Sequence, residues 1–361
     1  NIPKRIYSYY LQKIIILFAS QSTFEETSKN INELFGFKIS TKSISDIVKD
    51  VSSHAEKFRD IQPPPPKEQE LLVVCTDGKG VPMKKEEIAD KKTRLKKGEK
   101  AQKKKMATVG VIYSIDKEVR NADEILKKEN KKHCRPVGKR IRGKIGDKEF
   151  VFKKLRKEAD LREGENKVKI FLSDGERALW KLKEVYFSKY IGILDLYHAM
   201  EKLWECGYCF HKEGSVEAKK YVRRKLKLLL NGKVNKCIKE MKKESLKKGL
   251  SKGKRKVLDG VIKYYRNNRN SMRYNEYLSR GFPIGSGNVE SACKILIRQR
   301  MEGSGMRWTK DGGQSMIDIR SIYLNGDLNE FFKCYVEEQR EILYGKKEGK
   351  TSEGKILKVA G

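Results

Sequence analysis

Two aspartates stand directly after apolar runs and just before a glycine. Asp77 follows the run 71–76 in LLVVCTDG, and Asp174 follows the run 168–173 in VKIFLSDG. The ends of strands in α/β sheets commonly carry ligands and catalytic groups, because the strand positions the side chain and the following loop admits substrate. The glycine leaves room beside each carboxylate. Both patterns therefore predict an acid presented at the end of a buried strand.

A third acid, Glu290, lies in GSGNVES, where a Gly/Ser loop leads into a helical pattern. This spacing predicts Glu290 in the first turn of a helix. Positions four residues apart share a helix face, and here that face reads Glu290, Lys294 and Arg298. The predicted core face carries Val289, Cys293, Leu296 and Ile297. An ordinary Glu–Lys pair on a solvated face is the alternative interpretation.

Three such acids have an obvious joint chemistry. Two strand-borne carboxylates and one from a helix can hold two divalent metal ions, and ions roughly 4 Å apart clamp the attacking and leaving oxygens of a phosphodiester displacement. Oxygen ligands suit Mg²⁺ or Mn²⁺. Either aspartate alone could instead be a turn residue, because Asp-Gly is a common turn dipeptide. The metal interpretation therefore depends on the combination.

Longer segments around these acids resemble the transposases of bacterial insertion sequences in the ISKra group, within the DDE superfamily. The matching segments span residue 76 to about residue 327 and read TDGKGVPM, KKMATVGVIYSID, SDGERALW, ILDLYHAMEKLW and MRYNEYLSRGFPIGSGNVESACKILIRQRMEGSGMRWTKDGGQSMIDIRSIYLNGD. The resemblance implies an RNase H-like core with acids in the order strand, strand, helical insertion, helix. Asp77, Asp174 and Glu290 keep that order, so the resemblance implies that they are catalytic and hold two Mg²⁺ or Mn²⁺ ions.

Asp195 and His198 form an Asp-x-x-His pattern near the end of a further predicted strand, 190–198. The pattern is similar to one in Mutator-like relatives, where it sits close to the site. A histidine placed there could steer the scissile phosphate or the developing 3′ oxygen. A buried Asp–His hydrogen bond that fixes the end of the strand is the structural alternative, and the sequence leaves the two open.

Basic and aromatic residues near the acids are predicted DNA contacts. Trp308 could stack on a flipped or terminal base, although a single tryptophan is more often a core anchor. The predicted phosphate contacts are Lys79, Lys294, Arg298, Arg300 and Arg307.

Cys206 and Cys209, with His211 nearby, suggest a zinc site only weakly. Four ligands are normally needed, and no second Cys-x-x-Cys pair occurs in the sequence. A spacing of three fits one face of a helix, so these cysteines are predicted to pack in a core.

The elements that position these residues form an α/β pattern. Together with the resemblance they predict an RNase H-like mixed sheet with flanking helices and an all-helical insertion, 199–280. A helix is predicted from Lys310 to Leu324, with Thr309 as its N-cap. The predicted strands are 71–76, 106–115, 148–155, 168–175 and 190–198, with a helix over 176–187 between the last two.

The first sixty residues show helical patterns instead. Apolar spacing predicts helices over 4–20 and 23–35, the second capped by Thr23 and ended by Gly36. A third helix follows, capped by Ser40 or Thr41. Helix, glycine-containing turn and helix together form a helix-turn-helix pattern. The residues at the start of the second helix of such a pair enter the major groove, which here are Thr41, Lys42 and Ser43; a protein docking module is the alternative.

Bulk composition limits the class of protein. Lys and Arg number 82 against 48 acids, a formal net charge of +34. Such an excess predicts a polyanionic partner, because neutralised phosphates release counterions, although a lysine-rich genome would also inflate the count. Seven scattered cysteines and no visible secretory signal favour a reducing cytoplasm over a disulfide framework. No apolar run is long enough to span a bilayer.

These observations predict six regions: a helix-turn-helix region 1–60, a Pro-rich linker 61–70, a first core part 71–198, the insertion 199–280, a second core part 281–340 and a flexible tail 341–361. We expect an insertion-sequence transposase that cuts element ends and joins the 3′-OH to target DNA, acting on double-stranded DNA as a homodimer or higher oligomer. A catalytically inactive DNA-binding descendant and a metal-dependent RNase H-like nuclease are the alternatives.

Overall fold

A computed structural model describes residues 7–88, 103–127, 134–164, 167–246, 248–303 and 305–345. The part of the predicted tail that follows residue 345 lies outside the described residues. Helix α16 covers Leu328–Tyr344 and so includes the first residues of that predicted tail.

The N-terminal region is helical, as predicted. Thr23 caps the second helix through a reciprocal hydrogen-bond pair with Glu26, and Gly36 ends it at φ 73°, a left-handed conformation that glycine adopts without strain. Ser40, rather than Thr41, caps the third helix. The helices are α1 (Tyr9–Gln21), α2 (Phe24–Phe35), α3 (Thr41–Ser52) and α4 (Ala55–Ile61).

A five-stranded mixed sheet forms the centre of the chain, with strand order β3-β2-β1-β4-β5. Strand β2 runs antiparallel to β1 and β3, whereas β4 and β5 run parallel to β1 and to each other. The strands are β1 (Leu71–Pro82), β2 (Lys104–Ile115), β3 (Val137–Ile145), β4 (Val168–Ser173) and β5 (Ile191–Leu194).

The predicted strand 148–155 is wrong. Those residues begin helix α6 (Lys148–Arg162). Asp147 caps this helix, because its carboxylate accepts a hydrogen bond from the Phe150 amide. The helix buries Val151, Phe152 and Leu155 against the sheet. These residues are spaced three to four apart, as on one face of a helix, but they also resemble a short apolar run, which led to the strand prediction. The third strand is instead 137–145, whose many basic residues concealed it.

Two strand bounds also differ from the prediction. Strand β1 continues past Asp77 to Pro82, because its second half stays paired with β2. Strand β5 ends at Leu194, because Asp195 caps a new helix whose first turn contains His198. Asp77 is therefore inside a strand, and Asp195 is at the N-terminus of a helix.

The predicted helical insertion is confirmed as helical, although its first helix begins at Leu196. A short helix α5 (Ala122–Lys127) precedes it along the chain, and helix α7 (Arg177–Tyr186) covers the predicted segment after β4. The insertion contains α8 (Leu196–Phe210), α9 (Val216–Leu230), α10 (Val234–Ser245), α11 (Lys252–Asn268) and α12 (Tyr274–Ser279).

The C-terminal helices return to the sheet. Glu290 lies in α13 (Gly287–Cys293), which continues through a π-helical turn, 294–298, into α14 (Gln299–Met301). Thr309 caps α15 (Lys310–Asn325), as predicted. A π-helical turn inside a helix is rare and occurs frequently at functional sites.

One continuous hydrophobic cluster joins the N-terminal helices, one face of the sheet and the insertion. Helices α1 and α3 pack on α15, and the Arg59 guanidinium of α4 donates to Asp318 of α15. Residues 62–70 therefore connect two parts of one core. Among the described helices, none combines the length and apolar character needed to cross a membrane.

Candidate metal centre

Three aspartates lie at the same level of three neighbouring parallel strands: Asp77 within β1, and Asp174 and Asp195 directly after β4 and β5. Thr76 of β1 pairs with Ser173 of β4, and Ser173 pairs in turn with Leu194 of β5. The next residue along each chain segment is Asp77, Asp174 or Asp195. Strand register thus brings the three acids to one level of the sheet, although Asp77 lies about 100 residues before Asp174 in the chain.

Alternation along the strands decides which way the first two acids face. Cys75 and Leu172 lie two residues before Asp77 and Asp174, and both belong to the large core on the α13 side of the sheet. Side chains two residues apart on a strand share a face, so Asp77 and Asp174 face that side as well. On the opposite face, the hydroxyl of Ser173 donates to the Thr76 carbonyl at 2.9 Å and ties the two strands together directly before the acids.

Among the described residues, Asp77, Asp174 and His198 form a group that could hold a metal ion. One carboxylate oxygen from each aspartate and one ring nitrogen of the histidine all lie within 4.8 Å of one another, and each residue is partly exposed. Two carboxylates and an imidazole at this separation are a donor set that suits a divalent cation. The site thus combines two predicted acids with a histidine whose role the sequence left open.

Asp195 holds that histidine in place. The Asp195 side chain is fully buried, and its carboxylate lies 2.6 Å from the His198 Nδ1 atom. The same carboxylate accepts hydrogen bonds from the backbone amides of Ser286, at 2.7 Å, and of His198, at 3.2 Å. The Asp–His hydrogen bond of the structural alternative is therefore confirmed. The histidine also lies beside Asp77 and Asp174, and its role in steering a phosphate stays a prediction.

The electrostatics of the group follow from burial and mutual charge. The hydrogen bond that His198 makes to Asp195 and the charges of Asp195, Asp174 and Asp77 outweigh burial and raise the pKa of His198 to about 9. Burial and the neighbouring Asp77 raise the pKa of Asp174. For Asp195, burial acts in the same direction, but hydrogen bonds from His198 and Ser286 outweigh it and lower its pKa. The imidazolium thus offsets the repulsion between the acids.

Glu290 is not part of this group. Its side chain is exposed in the first turn of α13, as predicted, and no metal-binding set of three among the described residues includes it. The neighbouring Cys293 is buried, and burial together with the nearby Asp77 and Glu290 raises the pKa of its thiol. Glu290 therefore flanks the Asp77 side of the site from the adjacent helix.

The helical insertion contacts the turn that carries Asp174. The Tyr264 ring of α11 fills the space where a Cβ atom at residue 175 would lie, so only glycine fits there. The Trp180 indole of α7 donates to the Asp174 carbonyl oxygen at 2.5 Å. Sequence reasoning missed both aromatic contacts, because a contact with a glycine or with a backbone carbonyl has no signature in the sequence.

A basic groove lies further along β1. It has a volume of about 590 Å³ and is lined by Lys103, Lys104, Lys294, Arg298 and Arg307, among other residues. Lys294 and Arg298 are exposed, and within the described part of the chain no ion pair neutralises either of them. Lys79 lies on β1 between the groove and Asp77, two residues from the acid and on the same face. These predicted phosphate contacts remain available to a ligand.

Arg300 is not available, which corrects its assignment as a phosphate contact. Its side chain is 2% exposed, its Nε atom donates to the Ala19 carbonyl, and its guanidinium lies over the rings of Phe24 and Trp308. The Trp308 indole donates to the Met301 carbonyl at 3.0 Å. Both residues anchor α14 and the following loop to the N-terminal helices, so Trp308 follows the core-anchor interpretation.

The remaining predicted residues are distributed as follows. Thr41 and Lys42 are exposed at the start of α3, whereas the Ser43 hydroxyl bonds the capping Ser40 hydroxyl at 2.9 Å. Cys206 and Cys209 are buried in α8, as the packing interpretation predicted, and neither belongs to a metal-binding group among the described residues.

A scan against models of known protein families finds none that matches this chain. A search of curated proteins likewise finds no matching relative.

Proposed function

We propose that the chain is a metal-dependent DNA transposase of an insertion sequence. The observation that carries the proposal is the convergence of Asp77, Asp174 and His198 within 4.8 Å at the edge of the sheet. This acidic group belongs to a chain with a net charge of +34. A cationic surface can hold a polyanion against acids that would otherwise repel it.

The donor set fits a divalent metal. Asp77 and Asp174 would hold it with carboxylate oxygens, and Glu290 would join from the adjacent helix, as the sequence predicts. A bound divalent ion supplies an activated water and stabilises charge on the oxygens of a phosphodiester. The protein contributes strands that fix the two aspartates, which the Thr76–Ser173 hydrogen bond holds side by side.

The fold and the basic residues support the same proposal. The mixed sheet has the order β3-β2-β1-β4-β5. The first acid lies in β1, the second follows the adjacent β4, and the third lies on a helix beyond the insertion. This arrangement supports an RNase H-like core. The groove lies roughly 16 Å from Asp77 along β1, at about 3.3 Å per residue. Its lysines and arginines would bind the backbone of a DNA strand that leads to the acids, and the exposed start of α3 would bind element ends.

Cleavage of DNA that ends in the inverted repeats flanking the gene tests the proposal. We expect strand cleavage in Mg²⁺ or Mn²⁺, loss of cleavage in Asp77→Asn and Glu290→Gln, and normal cleavage in the control Asp259→Asn, whose acid is exposed on α11. Full activity in Asp77→Asn would refute the catalytic assignment. Salt-dependent binding with no cleavage in either metal would instead favour a non-catalytic DNA-binding protein.

Salt dependence of DNA binding tests the groove. Each phosphate contact contributes about 0.9 to the slope of log K against log salt for duplex DNA. We expect Arg298→Ala to lower that slope by roughly one, uniformly across sequences. Arg255→Ala, an exposed arginine of α11 that does not line the groove, serves as the control and should leave the slope unchanged. An unchanged slope in Arg298→Ala would show that the groove does not contact the DNA backbone.

A further inference from the structure

We propose that His198 is the third protein ligand of the ion held by Asp77 and Asp174, and that this site selects Mn²⁺ over Mg²⁺. The inference deepens the proposed function and rests on its metal site, but not on its DNA substrate. It departs from the all-carboxylate ligand set that the sequence predicts.

The histidine is oriented as metal-ligating histidines usually are. Such residues bind a metal through one ring nitrogen while the other bonds a carboxylate or a carbonyl, which fixes the tautomer and the ring orientation. Here Asp195 lies 2.6 Å from Nδ1. The Nε2 atom is therefore the nitrogen that can bind an ion beside the two aspartates.

The support behind His198 is rigid. Asp195 is fully buried and also accepts the Ser286 amide from the loop that leads into α13. An aspartate that caps α8 and binds two other groups has little freedom to move. Its position after β5 links the histidine to the same strand register that aligns Asp77 and Asp174.

The choice of metal follows from the ligand types. Mg²⁺ requires near-ideal octahedral oxygen coordination and keeps several waters, whereas imidazole suits the divalent transition metals. Mn²⁺ accepts both carboxylate and imidazole ligands. A metal binds the neutral imidazole, so an ion bound here would take the place of the proton on the His198 ring that faces the carboxylates.

Binding of Mn²⁺ to the full chain in the absence of DNA tests the inference. We expect His198→Ala to weaken Mn²⁺ binding by at least tenfold and Asp195→Asn to weaken it by about 10–100-fold. His198→Gln, which keeps a polar side chain of similar size, should also lose affinity. Asp259→Asn, whose exposed acid lies on α11, should bind Mn²⁺ as the unaltered chain does, and Mg²⁺ should displace Mn²⁺ only in large excess.

Electron paramagnetic resonance supplies a second readout that a purely structural role would not affect. We expect nitrogen hyperfine coupling to the bound Mn²⁺ in the unaltered chain and its loss in both His198 variants. Circular dichroism verifies that each variant is folded. Unchanged Mn²⁺ affinity in a folded His198 variant, absence of nitrogen coupling, or equal competition by Mg²⁺ would overturn the inference.

The two proposals fail separately. Cleavage of repeat-ended DNA in Mg²⁺ by His198→Ala would overturn the ligand assignment and leave the transposase proposal standing. Mn²⁺ binding that depends on His198, without any DNA cleavage, would support the metal site and refute the transposase proposal.

Discussion

Carboxylates cluster in two regions of the molecule, and the two regions differ in how many cationic partners the carboxylates have. In the first, which we call the arginine network, three acids from α4, α6 and α15 lie among arginines. Arg59 contacts Glu56 at 2.5 Å and Asp318 at 2.9 Å, and Arg140 contacts Glu158 at 3.3 Å. At the metal centre, Asp77 and Asp174 face one another with a single histidine. Each acid of the network has an arginine partner, whereas the two aspartates of the centre share one histidine and outnumber it.

This difference separates acids that are paired within the fold from acids that stay open to a cation. A buried acid that serves only the fold needs donors that satisfy it, because an unpaired buried charge is costly. An acid that is to bind a cation must keep a lone pair free. The contrast predicts opposite effects on stability when the acids or their partners are removed.

The largest expected effect is in the arginine network. Arg59→Ala leaves Glu56 and Asp318 without their shared cation, and we expect a loss of about 3–5 kcal/mol in the free energy of unfolding. Chemical denaturation measures it. The control is Arg255→Ala, an exposed arginine of α11, which should change stability by less than about 0.5 kcal/mol. Equal losses in the two variants would erase the distinction between the regions.

A smaller effect concerns acid pH and a second paired carboxyl, Glu163. Partial burial raises its pKa, but hydrogen bonds from Lys169, Tyr190 and Arg156 outweigh burial and lower the pKa to about 2. A carboxyl with a lowered folded pKa stabilises the fold above its unfolded pKa of about 4.3, and this contribution is lost as the pH falls towards 2. Between pH 6 and pH 3 the unaltered chain should lose about 1–2 kcal/mol more than Glu163→Gln. Parallel pH profiles would contradict this.

The smallest effect, with the opposite sign, is expected at the metal centre. Burial and Asp77 raise the pKa of Asp174, so its charged form disfavours folding. Asp174→Asn keeps an oxygen that can accept the Glu176 amide hydrogen bond. We expect its stability without metal to be unchanged or higher by up to about 1 kcal/mol. A loss of more than that, measured by thermal melting, would make Asp174 a structural acid like those of the network.

Local chemistry made several elements predictable. Thr23 and Thr309 cap helices because their hydroxyls accept nearby amides, and Gly36 ends a helix because glycine tolerates positive φ. The strands 71–76 and 106–115 were recognisable from their apolar, β-rich composition. The segment 148–155 was not, because a run with Val151, Phe152 and Leu155 fits a strand as well as a helix.

Distant packing made other residues unpredictable. Arg300 looks like a surface cation in sequence, yet it lies beneath Trp308 because α14 packs on the N-terminal helices. Tyr264 contacts the Asp174 turn only because α11 packs on α8, the helix that follows β5. Neither fact has a local signal.

By itself the sequence determined which residues could do chemistry: acids after apolar runs, a helix-borne glutamate, an Asp-x-x-His pair and a large cationic excess. Only the tertiary structure decided which of them meet. Strand register aligned Asp77, Asp174 and Asp195, and the start of α8 brought His198 to the two acids while Glu290 stayed beside them. The physical reason is that spacing governs contacts within one helix or strand, whereas pairing between segments about a hundred residues apart depends on how the whole core packs.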